Sequence, residues 1–257
     1  MTRILNDLLP TCINWRKKYK QEKNKSDPLF LLGSGPSLAK HNISKLHNRF
    51  TMAFNRSFIA YKDWGFDPTY YAALDHVVNN DNKKMIKYLI DNSDIERFFF
   101  SEDFISKQHF TSSKTTIIKI NSNPQKVNLD FSKPLEVANT GLFGLQIAIK
   151  ILSFKTIFLL GCDADYQENI KDTKIIKNNI IFSNSNSDIN HFRKDYFGKN
   201  TTYNRPQGDK YHYPAWSLFH QKFLYQNDDI QVYNCSRESR LEFFPYINYS
   251  KALSWKK

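Results

Sequence analysis

The chain has 257 residues, 40% of them hydrophobic and 15% aromatic, which is ample for a core and excludes a wholly disordered chain. Lys and Arg number 37 against 25 Asp and Glu, and the formal net charge of +12 favours an anionic partner without choosing one. No basic run interleaved with aromatic residues forms a nucleic-acid module, and no stretch approaches the roughly 18 apolar residues of a membrane span.

The N-terminus lacks a secretory core, being interrupted by Asp7, Pro10 and Asn14, so a cytoplasmic location is expected. Cys12, Cys162 and Cys235 are far apart, odd in number and without zinc-ligand spacing, and read as reduced thiols.

In chain order, residues 1–27 read as a helix followed by a basic connector. Ile4, Leu5, Leu8, Leu9, Ile13 and Trp15 give its apolar face, and the stretch 16–25 is rich in Lys and Arg. Such a segment suits docking on the domain, or peripheral contact with an anionic membrane at its inner face. Residues 28–257 read as one α/β domain. Leu29-Phe30-Leu31-Leu32 is a short apolar run ending in Gly33, the mark of a buried parallel strand. A helix should follow, with Leu38 and Ile43 inward. Further strands are expected at 51–54, 69–74, 97–100, 115–120, 156–160 and 230–233. The clearest helix is at 141–152, where Leu142, Leu145, Ile149 and Leu152 recur at helical spacing. Strands alternating with helices imply a mostly parallel, Rossmann-like sheet flanked by helices. The polar stretch 167–190 reads as a lid insertion.

Ligands of such sheets bind outside the carboxyl ends of the strands. Four polar ends stand out there: Gly33-Ser34-Gly35, Asn55, Asp75 and Gly161-Cys162-Asp163. The glycines let a ligand approach the main chain, and the next helix N-terminus favours a phosphate. Ser37 is placed to cap that helix or to bond the ligand. The turn has neither the Lys of a Walker loop nor the third Gly of a dinucleotide fingerprint. Asn139-Thr140-Gly141 is a helix start, an N-cap that equally suits a phosphate or carboxylate. Asp163-Ala164-Asp165 has a spacing used to hold a divalent metal, but so short a motif leaves a metal undecided. His191, directly after the polar insertion, and His212, in Tyr211-His212-Tyr213-Pro214, are the candidates for a general base.

Five separated motifs occur in an order that resembles a known superfamily. They are Leu32-Gly33-Ser34-Gly35-Pro36-Ser37-Leu38, Phe54-Asn55, Asn139-Thr140-Gly141, Phe158-Leu159-Leu160-Gly161-Cys162-Asp163 and Asn190-His191-Phe192. The chain resembles the superfamily joining bacterial glycosyltransferase family 42 sialyltransferases to proteins related to 6-hydroxymethylpterin diphosphokinase. The resemblance implies a Rossmann-like enzyme taking a CMP-activated sugar donor and a glycan acceptor. Gly33, Ser34, Gly35, Ser37, Asn55, Asp75, Asn139, Thr140, Gly141 and Asp163 would bind the donor. Tyr166, Tyr196 or Tyr211 would bind its phosphate, and His191 would be the base. No cofactor is expected, since a phosphodiester leaving group carries one negative charge. The chain departs from the sialyltransferase pattern at Asp75, where Asn is expected, at Asn139-Thr140-Gly141 in place of Thr-Ser-Gly, and at Tyr166, one residue late. Two alternatives stay open: a magnesium-dependent diphosphokinase using Asp75, Asp163 and Asp165, and a non-catalytic nucleotide-binding module. The sequence leaves the oligomeric state open.

Overall fold

The β1 strand, Leu29–Leu32, is buried along its whole length, with Leu29 and Leu31 in one core cluster and Phe30 and Leu32 in the other. A strand covered on both faces must be apolar at every position, and this is why it reads as an unbroken run. The computed structural model describes residues 27–102, 104, 110, 112–123, 125–126 and 133–255. The expected N-terminal helix, together with Cys12, lies outside the described residues.

Seven strands form the central sheet: β1, β2 (Phe50–Phe54), β3 (Tyr70–Ala73), β4 (Arg97–Ser101), β5 (Thr115–Ile118), β8 (Thr156–Leu160) and β12 (Gln231–Asn234). Their order is β12-β8-β1-β2-β3-β4-β5, and every pairing is parallel. The strand order reverses between β8 and β1, the position where an open α/β sheet leaves a crevice at its carboxyl edge. Two short strands, β6 (Ile120–Ser122) and β7 (Leu135–Val137), pair in parallel beside it. β7 was not anticipated, because three residues carry too little pattern to read.

On one face α4 (Thr140–Lys150) packs across the sheet with α5 (Tyr213–Lys222), burying Phe143, Leu145, Ile147, Trp216 and Phe219. On the other face lie α1 (Tyr61–Trp64) and α3 (Lys83–Asn92), contributing Tyr61, Trp64, Ile86, Leu89 and Ile90. α2 (His76–Asp81) precedes α3, and α6 (Tyr249–Leu253) adds Ala252 to this second cluster.

The segment after β1 departs from expectation. It forms two 3₁₀ turns, Pro36–Lys40 and Ile43–Leu46, instead of an α-helix. Leu38 and Ile43 are buried as expected, Ser37 is buried with them, and Gly35 at the N-cap has no side chain to cap the turn. The stretch 167–190 is an insertion, as expected, with order of its own: β9 (Thr173–Lys177) and β10 (Ile180–Ser183) form a hairpin that β11 (Thr202–Asn204) extends into a three-stranded antiparallel sheet. Its order comes from pairing with a strand some 20 residues later, which local composition does not reveal.

The carboxyl edge depends on a close crossing of two turns. Gly33 N–H donates to the Leu160 carbonyl at 2.7 Å and Gly35 N–H to the Gly161 carbonyl at 2.8 Å. A Cβ on Gly33 would lie 2.3 Å from the Gly161 carbonyl oxygen, and Gly161 itself has φ of +66°. Both positions therefore require glycine. A second close approach joins α4 to β2, where a Cβ on Gly144 would lie 2.3 Å from the Phe54 ring and 3.0 Å from Met52 Sδ. Gly144→Ala is expected to lower stability by about 1–3 kcal/mol despite its better helix propensity, because overpacking outweighs it. Urea unfolding of the two proteins checks this.

Candidate active site

A cavity of about 470 Å³ opens at the carboxyl edge of the sheet. Gly33, Ser34, Gly35, Asn55, Asp75, Asn139, Thr140, Gly141, Asp163, Tyr166, His191, Tyr196, Tyr211 and His212 all line it, gathered from segments far apart in the chain. Ser37 does not line it. That residue is buried, its N–H donates to Asp163 Oδ2 at 2.8 Å, and its hydroxyl bonds Asp163 Oδ1 and Ser236 Oγ. Its expected role as a cap or ligand contact is replaced by a bond that ties the β1 turn to the β8 turn.

Asn55 ends β2 with a left-handed backbone, φ of +46°. Its Nδ2 donates to Thr140 Oγ1 at 3.2 Å, while its Oδ1 is buried without a partner. Asn139 caps α4, its Oδ1 accepting from Leu142 N–H at 2.8 Å, and its Nδ2 is likewise buried and unpartnered. A buried unmet donor or acceptor costs roughly 1–3 kcal/mol, so an acceptor and a donor left open on one cavity wall mark a place that a polar ligand completes. The α4 N-terminus at the same wall offers free N–H groups and the positive end of the helix dipole.

Asp75 caps α2. Its Oδ1 accepts from Val77 N–H at 2.9 Å, Val78 N–H at 3.2 Å and Asn204 Nδ2 at 2.9 Å. Burial pushes the Asp163 carboxyl above the usual carboxylate range, against the pull of its two bonds from Ser37. Asp165 is exposed and stands 4.0 Å from Arg240. The Asp-x-Asp pair therefore diverges, one carboxylate turned to Ser37 and the other to Arg240. Among the described residues no three His, Cys, Asp or Glu side chains gather to hold a metal.

The two histidines differ sharply. His191 Nδ1 lies 2.9 Å from Asp188 Oδ2, and the buried Asp188 carboxylate also accepts from Asn190 N–H at 2.9 Å and Phe197 N–H at 3.1 Å. An ionised carboxylate at Nδ1 selects the tautomer with its proton there, which leaves Nε2 as the basic nitrogen for the cavity. The ring stacks on Tyr196 at 4.2 Å and 2°, with Phe197 edge-on at 4.8 Å. Phe192 N–H donates to the Ser34 carbonyl at 2.9 Å, so the histidine loop is pinned to the β1 turn. His212 sits against Tyr166, 4.7 Å between rings, with Nδ1 buried and unpartnered. Burial drives its pKa down to about 4, making it a weak base at neutral pH.

Tyr196 is also not placed as expected. Its hydroxyl donates to Ser34 Oγ at 3.2 Å and accepts from Arg56 N–H at 3.2 Å, so it braces the turn and the base instead of projecting toward a phosphate. Tyr211 and the buried Tyr166 remain on the cavity wall. Sequence reading missed Asp188, whose one signal is the Asp-x-x-His spacing, and the lining residues His76, Asn204, Arg205, Gln207 and Trp216. These last come from the α2 start, the end of β11, the segment that follows it and α5.

No protein-family model matches the chain, and no curated protein does. Among solved structures it is similar to the monofunctional alpha-2,3-sialyltransferase Cst-I from Campylobacter jejuni, with a TM-score of 0.54 and 17% identity over 91% of this chain and 84% of that one. It is also similar to the MAf glycosyltransferase from Magnetospirillum magneticum AMB-1, with a TM-score of 0.51 and 12% identity, covering 97% of this chain and 39% of that one. At these identities the likeness is one of fold. The chain is a Rossmann-like α/β protein sharing its architecture with these two glycosyltransferases.

The buried His212 gives a pH signature. Its folded pKa is below the unfolded value of about 6.5, so the unfolded chain binds the extra proton between pH 6.5 and 4. Its contribution to stability is present above pH 6.5 and is lost as pH falls toward 4, by about 3 kcal/mol in all. His212→Phe, which keeps a ring against Tyr166, should flatten the acid side of the Tm–pH curve. An unchanged slope would show that this histidine titrates normally.

Proposed function

We propose that the protein is a glycosyltransferase moving a sialic-acid-like nonulosonate sugar from a CMP-activated donor to a glycan hydroxyl. The observation that carries the catalytic part is the Asp188–His191 pair at the cavity wall, held beside the β1 turn. The CMP donor rests on the resemblance of the five ordered motifs, and the fold shared with Cst-I supports the same class.

In this reading the donor's phosphate lies near the α4 N-terminus, and Asn55 Oδ1 and Asn139 Nδ2 complete their hydrogen bonds on the nucleotide. The acceptor hydroxyl enters beside His191. As its oxygen bonds the anomeric carbon, the proton passes to Nε2 and the carbon–phosphate oxygen bond breaks, releasing CMP. Developing positive charge on the sugar ring and negative charge on the phosphate is met by groups already in place. The imidazolium formed is stabilised by the Asp188 carboxylate and by the face of Tyr196.

His191→Ala should slow turnover by roughly 10²–10⁴-fold while leaving donor affinity nearly unchanged, the pattern of a lost general base. Wild-type turnover in that variant would refute the assignment, and His212→Ala, changing a residue that is a poor base, serves as comparison. In Asp188→Asn the amide no longer stabilises the imidazolium, so turnover should fall and the acid limb of the pH–rate profile should move.

Donor identity is tested separately. CMP should raise the Tm more than AMP or GMP does, by an amount equivalent to about 2.7 kcal/mol at 100 times its Kd. Asn55→Ala should abolish much of that shift; the left-handed backbone and the lost bond to Thr140 also lower the Tm of the free variant, so the shift is read against the variant's own baseline. A larger shift with ATP and magnesium would instead support pyrophosphoryl transfer.

A further inference from the structure

We infer that the β9–β10 hairpin is a membrane-docking element that seats the protein on an anionic lipid surface. Ile175 and Ile176 are 64% and 57% exposed, and of the described residues they are the one adjacent pair of large exposed hydrophobic side chains. In a regular strand these neighbours would face opposite ways, and one would be covered. Here Ile180 pairs with Lys177 and Ile181 with Ile175, so Ile176 is the extra residue of a β-bulge, and both side chains stand in solvent.

Lys174 and Lys177 flank the pair, both exposed, and the hairpin 173–183 contains no acidic residue. An apolar pair bracketed by ammonium groups matches the layered chemistry of an anionic bilayer surface. The isoleucines enter the headgroup–acyl boundary while the lysines stay with the phosphates. The +12 charge of the whole chain acts in the same direction.

Strand pairing is the competing use of such an edge. β9 is the outer strand of its sheet, open on one side, but lysines and a bulge are the devices by which edge strands discourage pairing with another chain. A second copy laid antiparallel on β9 would bring these lysines against their counterparts. The bilayer is therefore the favoured occupant.

The position of the hairpin gives docking a consequence. The opposite edge strand of the same sheet, β11, supplies Tyr203 and Asn204 to the cavity wall. Strand spacing places β9 about 10 Å from it. A docked hairpin holds the cavity beside the membrane surface. This inference concerns the surface and stands independently of the reaction proposed above.

Co-sedimentation with phosphatidylglycerol–phosphatidylcholine vesicles, and with vesicles of phosphatidylcholine alone, tests it on the full chain. The wild type should bind the anionic vesicles and release in high salt. Ile175→Ser with Ile176→Ser, and separately Lys174→Glu with Lys177→Glu, should each lower partitioning at least about tenfold while Tm is unchanged. All four side chains are exposed, so folding is preserved, and the basic N-terminal segment is present in every protein compared. No binding by the wild type overturns the inference, as does equal binding by both variants. If the variants instead convert an oligomer to a monomer in light scattering and leave vesicle binding unchanged, the hairpin is a contact between copies and the membrane assignment falls.

Discussion

The site depends on how closely the β1 and β8 turns cross. Gly33 and Gly161 bring two backbones within hydrogen-bonding distance where neither tolerates a side chain. Ser37 and the buried Asp163 then lock the crossing with a main-chain and a side-chain bond, and Ser236 Oγ backs the serine at 2.8 Å. These two strands flank the point at which the strand order reverses, so the crossing shapes the floor of the crevice. Asp163 is thus a structural clamp on the cavity floor, its carboxylate buried and bonded to Ser37.

From that floor His191 is positioned in a chain of contacts. Ser34, in the β1 turn, accepts from the Tyr196 hydroxyl and lends its carbonyl to Phe192. Tyr196 supports the His191 ring face to face, and Asp188 fixes its tautomer from behind. The β1 turn and His191 are therefore parts of one connected assembly. Among the buried polar atoms without a partner in the described residues, Asn55 Oδ1, Asn139 Nδ2 and His212 Nδ1 belong to residues that line the cavity.

The two histidines show why residue type alone does not assign a role. Both follow polar segments and both reach the same cavity. His191 has a carboxylate at one nitrogen and the Tyr196 ring below, whereas His212, set against Tyr166, has no carboxylate partner and is kept neutral by burial. The environment, not the residue type, sets these two rings apart. The same distinction separates Tyr196, whose hydroxyl is consumed within the protein, from Tyr211 on the cavity wall.

The sequence by itself determined the parallel sheet and its polar edge. Strands buried on both faces must be continuous apolar runs, as in Leu29–Leu32 and Thr156–Leu160, and the residue that ends each run faces the crevice. That made Gly33, Asn55, Asp75, Asn139 and Asp163 legible, since each stands at a strand end or helix start. Only the tertiary structure decided what those residues touch. Ser37 meets Asp163 across 126 residues and Tyr196 meets Ser34 across 162, and neither contact leaves a local pattern. The hairpin at Thr173–Lys177 and Ile180–Ser183 was hidden for the same reason, its third strand lying beyond His191. Periodicity reports which face of an element is buried; the hydrogen-bond partner of a polar side chain is chosen by whatever the fold brings opposite it.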